Sequence, residues 1–393
     1  MKNDIFINGY ALDCALGTGP EEVKKQLFSE NPEVTVREHE VFKIPFFTMA
    51  EYDQREYIHH SSFLHCSNAV HNALKMAFPD TGLPPESLRV GCVAGTTGDV
   101  QFGDLNFYRA LKEQKATDNR IYHFVNGTIA ERIVQKYKFT GPALTISNTC
   151  VSGADAVVTA AHWIKEDLCD IVAVVGVDLV TLMTLAGFYT LSAASTDLCR
   201  PFDKNRDGMT VGEGIGCVIL QSESSLKRNR QTPFFRLRGW GSANDAYHMT
   251  APHPEGIGLE LAIRRALETA ELPFSSLAFI NAHGTGTPAN DACEATTFAR
   301  LSDHAPFLYF STKGLTGHTL GASGVIELIF TMICLQEQKI PAGIGCTEPD
   351  PAFPVPPVLQ ETMISAGTAM STSLAFGGCN TALIVEQAGE TCI

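Results

Sequence analysis

The chain is poor in positive charge. Its 393 residues carry 29 lysines and arginines against 43 aspartates and glutamates, a formal net charge of −14. That balance argues against general nucleic-acid binding. The one basic stretch, residues 227–238, is broken by polar and aromatic residues and reads as a solvated edge. Long apolar runs are scarce as well. The opening MKNDIFINGYALD has no extended apolar core and no small-residue cleavage site, so no secretory leader is expected. The most membrane-like run, residues 171–194, has about the length of a spanning helix but contains Asp178, glycines and turn-like breaks. It is expected to be a buried strand followed by a loop and a helix, with no membrane span. Twelve cysteines are present, but none forms a CxxC pair or stands at zinc-ligand spacing from histidines. They read as reduced thiols of a cytoplasmic protein, most of them packing as small hydrophobes. A phosphate loop of the GxxxxGK[ST] type is absent too.

What is present is an ordinary globular composition, 45% hydrophobic and 18% charged, long enough for two domains or one large fold. The chain also repeats itself. AVHNALKMA (69–77) matches AIRRALETA (262–270) in apolar period, and each reads as an amphipathic helix. LPPESLRVGCVAGT (83–96) matches LPFSSLAFINAHGT (272–285), a turn and an apolar strand ending in Gly-Thr. CVSGADA (150–156) matches GASGVIE (321–327), each opening an apolar helix. A late strand, IVAVVGV (171–177), is paired with TALIVEQ (381–387). Strands alternating with helices in this way predict an α/β fold with largely parallel sheets, duplicated in two halves. The halves are expected at residues 1–225 and 226–393, with ESSLKRNRQT (223–232) as the crossover.

The copies differ where chemistry is possible. One half has Cys150 where the other has Gly321, and the second has His283 where the first has Ala94. Unlike residues in matching loops point to one composite site. Cys150 follows the apolar strand PALTI and is expected at a helix start, where unpaired N–H groups and the helix dipole depress a thiol pKa. By position alone, a buried structural cysteine and a reactive one fit equally well. His283, in NAHGTGTPANDACEA (281–295), ends a short strand before a Gly-Thr loop, where ligands bind in α/β sheets. A satisfied core histidine is the alternative. Lys313 and His318 lie in STKGLTGHTLGASGVIE (311–327), a glycine-rich turn before a helix. A lysine beside a histidine and a thiol suits a developing enolate or oxyanion. In STSLAFGGCNTALIV (371–385), the Gly-Gly pair permits a tight turn beside Phe376, which is either core or a gate. A cysteine with two histidines also allows a hydrolase, but two histidines and a lysine are more cationic than acyl hydrolysis needs.

These four motifs, in this order, resemble the β-ketoacyl-acyl carrier protein synthases of the thiolase superfamily, over nearly the whole chain. RPFDKNRDGMTVGEGIG (200–216) and GFYTLSAAS (187–195), which holds Phe188 near the family's acyl pocket, belong to the same resemblance. It implies a thiolase-like duplicated five-layer α/β/α/β/α sandwich. It implies that the N-terminal half carries Cys150 as nucleophile, and that the C-terminal half carries His283 and His318 for malonyl decarboxylation. Lys313 would tune that pair, and Glu327 would support Lys313. The N–H groups of Cys150 and Phe376 would form an oxyanion hole. Thr285 and Thr287 would hold the phosphopantetheine arm. The implied reaction is a decarboxylative Claisen condensation with malonyl-carrier protein, in fatty acid, polyketide or aryl polyene biosynthesis. It takes no redox cofactor and no obligatory metal, and its substrates ride on an acyl carrier protein. A homodimer is implied, or a heterodimer with a related chain-length partner. Such partners lack the active cysteine, and Cys150 is present. A degradative thiolase would use a second cysteine near the C-terminal glycine loop, for which Cys379 is the candidate.

The chain departs from the family pattern at NTCVSG and LAFGG. The segment YDQREYIHHSSF (52–63), at the family's basic carrier-docking helix, has Arg55 as its only firm cation. Arg200, Lys204 and Arg206 are therefore the candidates for carrier docking. Of the cysteines, Cys150 is expected to be alkylated fastest near neutral pH, with Cys92, Cys217 and Cys334 buried and Cys392 at the surface.

Overall fold

A computed structural model of the chain describes residues 4–49, 60–98, 113, 128–365 and 367–389. Arg55 and Cys392 lie outside the described residues, as does most of the 52–63 segment. The main strands are β1 (Ile5–Cys14), β2 (Val90–Gly95), β3 (Ala143–Ile146), β4 (Ile171–Asp178), β5 (Gly214–Ser222), β6 (Phe235–Asn244), β7 (Ile280–Asn281), β8 (Tyr309–Phe310), β9 (Thr368–Leu374) and β10 (Cys379–Gln387). They pair in the order β8-β7-β9-β10-β6-β1-β5-β4-β2-β3. Read from its two ends, the order is the same, so the duplication in the sequence is a duplication of topology. The halves meet where β1 and β6 pair antiparallel, Phe6 with Arg236 and Ile7 with Phe235.

The helices are α1 (Pro20–Leu27), α2 (His60–Ala77), α3 (Thr128–Tyr137), α4 (Ser152–Lys165), α5 (Leu182–Thr190), α6 (Glu223–Asn229), α7 (Ile257–Ala270), α8 (Pro288–Leu301), α9 (Lys313–Thr316) and α10 (Ser323–Glu337). The short α6 lies between β5 and β6, within the expected crossover. α2 and α3 cover one outer face of the sheet, and α7 and α8 cover the other. α4 and α10 lie in the middle and touch strands of both halves. Layer position explains composition. β4 is buried along its full length and reads as a continuous Val/Ile run. α7 buries a single stripe that includes Leu259, Ala262, Ile263 and Ala266. α10 is buried from Ser323 to Leu335 and is apolar all round. The run Leu320–Glu337 is long and apolar enough to cross a membrane, but 89% of it is buried inside the protein. Residues 171–194 form β4 and α5, as expected from their breaks.

α4 and α10 approach very closely. A Cβ added at Gly153 would lie 2.6 Å from the Gly321 carbonyl oxygen, and one at Gly324 would lie 2.4 Å from the Ala154 nitrogen. Only glycine lets these backbones touch.

Three repeat matches agree with the topology: α2 with α7, β2 with β7, and α4 with α10. The fourth does not. β4 lies between a parallel neighbour, β2, and an antiparallel one, β5. The strand so placed in the second half is β9, between β7 and β10. TALIVEQ is β10, the equivalent of β5. β9 is buried along its length but reads TAMSTSL, without a Val or Ile, while its neighbour β10 carries the LIV run, so a match on apolar composition falls on the wrong strand.

Candidate active site

Cys150 sits beyond the end of β3, on a tightly held turn. Asn148 Nδ2 donates to Asp155 Oδ2 at 2.8 Å, Asn148 N donates to Ser152 Oγ at 2.8 Å, and Ser152 Oγ donates to Thr149 O at 2.6 Å. Thr149 takes φ of 49°, the left-handed region that a β-branched residue rarely adopts. Backbone strain of this kind collects at functional turns. α4 begins at Ser152 with Val151 as its cap, so Cys150 stands one residue outside the helix rather than in its first turn. The expected depression of the thiol pKa is also overturned. Cys150 is buried, and burial pushes the thiol up to about 12, outweighing the opposing pull of Lys313. Burial, chiefly, raises the Cys92 thiol as well, so a high pKa does not single out a structural thiol.

His283 and His318 face each other with ring centroids 4.9 Å apart and planes at 85°. Both are buried. Lys313 Nζ donates to His283 Nδ1 at 3.1 Å, to His283 O at 2.6 Å, and to Glu327 Oε1. An ammonium only donates, so His283 Nδ1 accepts and the proton of the neutral ring is on Nε2. Leu320 N donates to His318 Nδ1 at 3.3 Å, which fixes the same tautomer there. Burial, and then the charge of Lys313, hold both imidazoles well below the usual histidine range. The site therefore presents two neutral rings, each with an Nε2–H donor. Glu327 is buried beside Lys313, and its carboxyl is pushed up to about 7 by burial against the pull of Lys313.

A second carboxylate network shapes the loop after His283. Glu294 accepts from His283 N at 2.8 Å, Gly284 N at 2.6 Å, Thr372 Oγ1 at 2.9 Å and Asn290 Nδ2 at 3.0 Å. Asp291 accepts from Phe202 N at 2.7 Å and Gly286 N at 3.2 Å. Thr285 and Thr287, in the loop so held, share a hydrogen bond at 2.8 Å between their hydroxyls. Neither acid was singled out in the sequence. Their spacing of three, at the start of α8 within the histidine motif, puts both on one buried face and was the available signal. Asp178 is a further residue missed. It accepts from Thr96 Oγ1 at 2.8 Å, Thr97 N at 2.9 Å and Gly321 N at 2.6 Å, tying the two halves together beneath the site.

Two cavities open on Cys150. One, of about 280 Å³, is lined by Cys150, His283, His318, Thr285 and Thr287. The other, of about 340 Å³, lies between the nucleophile turn and α5. Phe188 and Phe376 line both. Their rings are 6.0 Å apart, and Thr149 Oγ1 donates to Phe376 O at 3.1 Å, so the glycine-loop phenylalanine stands at the partition. The expected residues are thus brought together, from both halves. Cys379 is the exception. It lines neither cavity; its thiol donates to Asn148 Oδ1 at 3.4 Å and accepts from Asn244 Nδ2 at 3.1 Å. The two-cysteine thiolase arrangement is not built. The candidate docking cations are also engaged. Arg206 has a side chain only 6% exposed, donates to Asp350 Oδ2 at 2.7 Å and stacks on Phe353. Arg200 pairs with Asp197 at 2.9 Å, and Lys204 pairs with Glu348.

The family models of the β-ketoacyl synthase N-terminal and C-terminal domains match residues 65–225 and 234–347 in turn. The chain belongs to the β-ketoacyl synthase family. Among relatives, it is 34% identical to the mitochondrial 3-oxoacyl-[acyl-carrier-protein] synthase of Arabidopsis thaliana, over 64% of this chain and 58% of that protein. It is also 34% identical to 3-oxoacyl-[acyl-carrier-protein] synthase 2 of Coxiella burnetii, over 64% of this chain and 63% of that one. The match thus spans about three fifths of the length of these curated relatives. The fold likeness is more extensive. A β-ketoacyl synthase from Burkholderia phymatum superposes with TM-score 0.86 at 27% identity, covering 99% of this chain and 100% of the other. A ketosynthase in complex with its chain length factor from Xenorhabdus doucetiae gives 0.85 at 28% identity, covering 98% of each. The mixed α/β fold with its duplicated sheet is therefore thiolase-like.

Proposed function

We propose that the protein is a β-ketoacyl-acyl carrier protein synthase, an acyltransferase that joins a Cys150-bound acyl group to a malonyl unit with loss of CO₂. The observation that carries this reading is the pair of neutral, tautomer-fixed imidazoles beside the thiol in one cavity. Two converging N–H donors suit an enolate oxygen better than a hydrolytic water, which needs a base and not a second donor.

In the first half-reaction, Cys150 Sγ attacks the acyl thioester on the carrier's phosphopantetheine arm. The S–C bond to the arm breaks, and the departing thiolate takes the proton the Cys150 thiol gives up. The N–H groups of Cys150 and Phe376 polarise the carbonyl, and Thr285 and Thr287 hold the arm. In the second, the C–CO₂ bond of a malonyl thioester breaks and CO₂ leaves. The enolate oxygen is held by Nε2–H of His283 and His318, while its carbon attacks the Cys150 thioester. Collapse expels the Cys150 thiolate, which takes up a proton, and the β-ketoacyl chain leaves on the second arm. Lys313 and Glu327 act by fixing His283. The carbon–carbon bond formed is balanced by the one broken, so no redox cofactor is required, and the donors present need no metal.

The partners that follow are acyl- and malonyl-carrier proteins and a second subunit of the same fold. The relatives' names carry the first, and the structures described as ketosynthase with chain length factor support the second. α5 and the residue after it leave Leu182, Met183, Tyr189 and Leu191 exposed beside the second cavity, an apolar face that a second subunit would cover. Cys150 assigns this chain to the catalytic role in such a pair, whether in fatty acid, polyketide or aryl polyene synthesis.

The test is intact-protein mass spectrometry after mixing with acyl-carrier protein, followed by CO₂ measurement on adding malonyl-carrier protein. An acyl adduct mapped to Cys150 and CO₂ release that requires it are expected. Hydrolysis of the acyl group without carbon–carbon bond formation would overturn the reading.

A further inference from the structure

Resting on the reading that Cys150 carries the acyl group and that the Cys150 and Phe376 N–H groups polarise its carbonyl, we infer that Asn148 is a positioning residue whose side-chain amide sets the register between those two donors. The two N–H groups belong to different halves. Cys150 stands on the turn after β3, and Phe376 precedes the glycine pair between β9 and β10. No covalent link fixes the distance between them, yet a misplacement of about 1 Å costs on the order of 100-fold in rate. At the glycine turn itself packing does little to fix it. Gly377 and Gly378 take φ of 85° and 78°, and a Cβ added at Gly377 would meet no atom within 4 Å. Hydrogen bonds hold the turn, and several of them tie it to its own half. Gly377 N donates to Met249 O at 2.7 Å, Asn244 Nδ2 to Gly377 O at 3.0 Å, and Asp245 N to Gly378 O at 2.7 Å. These set the turn against the end of β6 and the segment after it, not against Cys150.

Three links cross from this loop and β10 to the nucleophile side, and Asn148 takes part in two. In the first, Thr149 Oγ1 donates to Phe376 O at 3.1 Å. In the second, Cys379 Sγ donates to Asn148 Oδ1 at 3.4 Å. The third runs through Asp155 in α4. Asn148 Nδ2 donates to Asp155 Oδ2 at 2.8 Å, and Asp155 Oδ1 accepts from Thr381 Oγ1 at 2.7 Å. One end of the amide therefore holds Cys379, which follows the glycine pair. The other end, through Asp155, holds β10 two residues further on. The orientation is forced, because an ionised carboxylate only accepts: the amide nitrogen faces Asp155, and the oxygen faces the thiol. Asn148 is two residues before Cys150, so this pair of bonds fixes the nucleophile turn against the strand that carries the glycine loop.

The experiment follows acylation of Cys150 by hexanoyl-pantetheine, by intact mass, then adds malonyl-pantetheine to the fully acylated protein. Asn148→Ala should acylate about 10- to 100-fold more slowly than the parent. It should also uncouple the second half-reaction. The decarboxylation donors His283 and His318 are held by Glu294, Lys313 and Leu320 rather than by Asn148, so CO₂ still leaves. The enolate then meets a poorly polarised thioester, takes a proton at carbon and ends as an acetyl thioester. CO₂ should exceed β-ketoacyl product, where the parent gives equal amounts. Asn148→Asp sets a carboxylate against Asp155 and should be as slow as the alanine variant. Adding Asp155→Asn exchanges donor and acceptor across the same bond, leaves Cys379 and Thr381 with their acceptors, and should recover about tenfold of the loss. Thermal melts confirm that the variants fold. Parental acylation by Asn148→Ala, equal CO₂ and product in that variant, or a folded double variant no faster than Asn148→Asp overturns the inference. Failure of the parent to be acylated at Cys150 overturns the condensing-enzyme reading itself, and this inference with it.

Discussion

Replacing Lys313 by methionine separates what the buried lysine does for the fold from what it does for the site. Lys313 and Glu327 have side chains 1% and 4% exposed, and Glu327 Oε2 already lacks a partner. Lys313→Met keeps the chain length and removes the charge, leaving Glu327 buried without its cation. Breaking a buried pair from one side costs about 3–5 kcal/mol. Protonation of Glu327 offsets part of this. Burial already holds that carboxyl at about 7, above its ordinary 4.5, and Lys313 is what pulls it down. Without Lys313 it titrates higher still. A carboxyl with a raised folded pKa supports the fold below its unfolded pKa, and that support is lost as pH rises. The variant should come closest to the parent near about pH 5 and lose stability steadily toward about pH 8. Adding Glu327→Gln removes the stranded charge, flattens the profile and recovers most of the loss.

Activity should not follow stability. Both variants lack the donor that fixes His283 Nδ1, so the ring no longer holds its proton on Nε2 toward an enolate. Removing one oriented donor to a developing oxyanion costs on the order of 10²–10³ in rate. The measurements are urea unfolding midpoints from about pH 5 to pH 8 and CO₂ release from malonyl-carrier protein. If the double variant regains decarboxylation together with stability, Lys313 is structural only. If the single variant shows a flat pH profile, the buried pair is not what stabilises this region.

His318→Ala should still take an acyl group onto Cys150 but lose decarboxylation by about 100-fold or more, because the nucleophile and this donor come from different halves; a variant that cannot be acylated contradicts that division. Gly153→Ala places a Cβ 2.6 Å from Gly321 O, and should cost about 1–3 kcal/mol in urea unfolding; an unchanged midpoint would mean that α4 and α10 do not meet closely. Iodoacetamide labelling of Cys150 should still be accelerating between about pH 8 and pH 10, since the thiolate fraction of a thiol at about 12 keeps growing there. A rate that levels off near neutral pH would restore the low-pKa thiolate expected from sequence.

Position and pKa of the thiol are set at different levels of the structure. Position on the strand-to-helix turn was legible from PALTISNTC, and the turn is where it was expected. The pKa was not legible, because it depends on how completely the folded halves bury the sulfur, and that is set by packing between segments far apart in sequence. The same limit applies to Arg206. Sequence shows a cation beside RPFD; only the fold shows Asp350, Asp291 and Phe353 gathered around it. Motifs with local signatures fared better. His283, Lys313, His318 and Phe376 each sit next to a glycine shortly after a strand or short helix; three of them line the Cys150 cavity and Lys313 holds His283 from behind. The supporting acids were hidden for a simpler reason: Asp291 looks like an ordinary acidic first-turn residue and Glu294 like a solvated acid one turn on, until Phe202, Gly284 and Gly286 are seen to donate to them.

The duplication also explains why there is a single nucleophile. α4 and α10 are equivalent helices, and counting back from their first residues, Ser152 and Ser323, makes Gly321 the counterpart of Cys150. A symmetric protein would carry a thiol at both places. Here it cannot. A Cβ at Gly321 would lie 2.7 Å from Asp178 Oδ2 and 2.7 Å from Thr97 N, closer than any side chain is tolerated. The Gly321 N–H donates to that same carboxylate at 2.6 Å. Asp178 thus uses the second would-be nucleophile position as an anchor, joining the end of β4 in one half to the approach of α10 in the other. That anchor holds the turn from which His318 and its fixing donor Leu320 N project. One copy of the turn keeps a reactive side chain and accepts a strained Thr149 before it. The other gives up its side chain altogether, and the close approach this permits sets the imidazoles against the thiol.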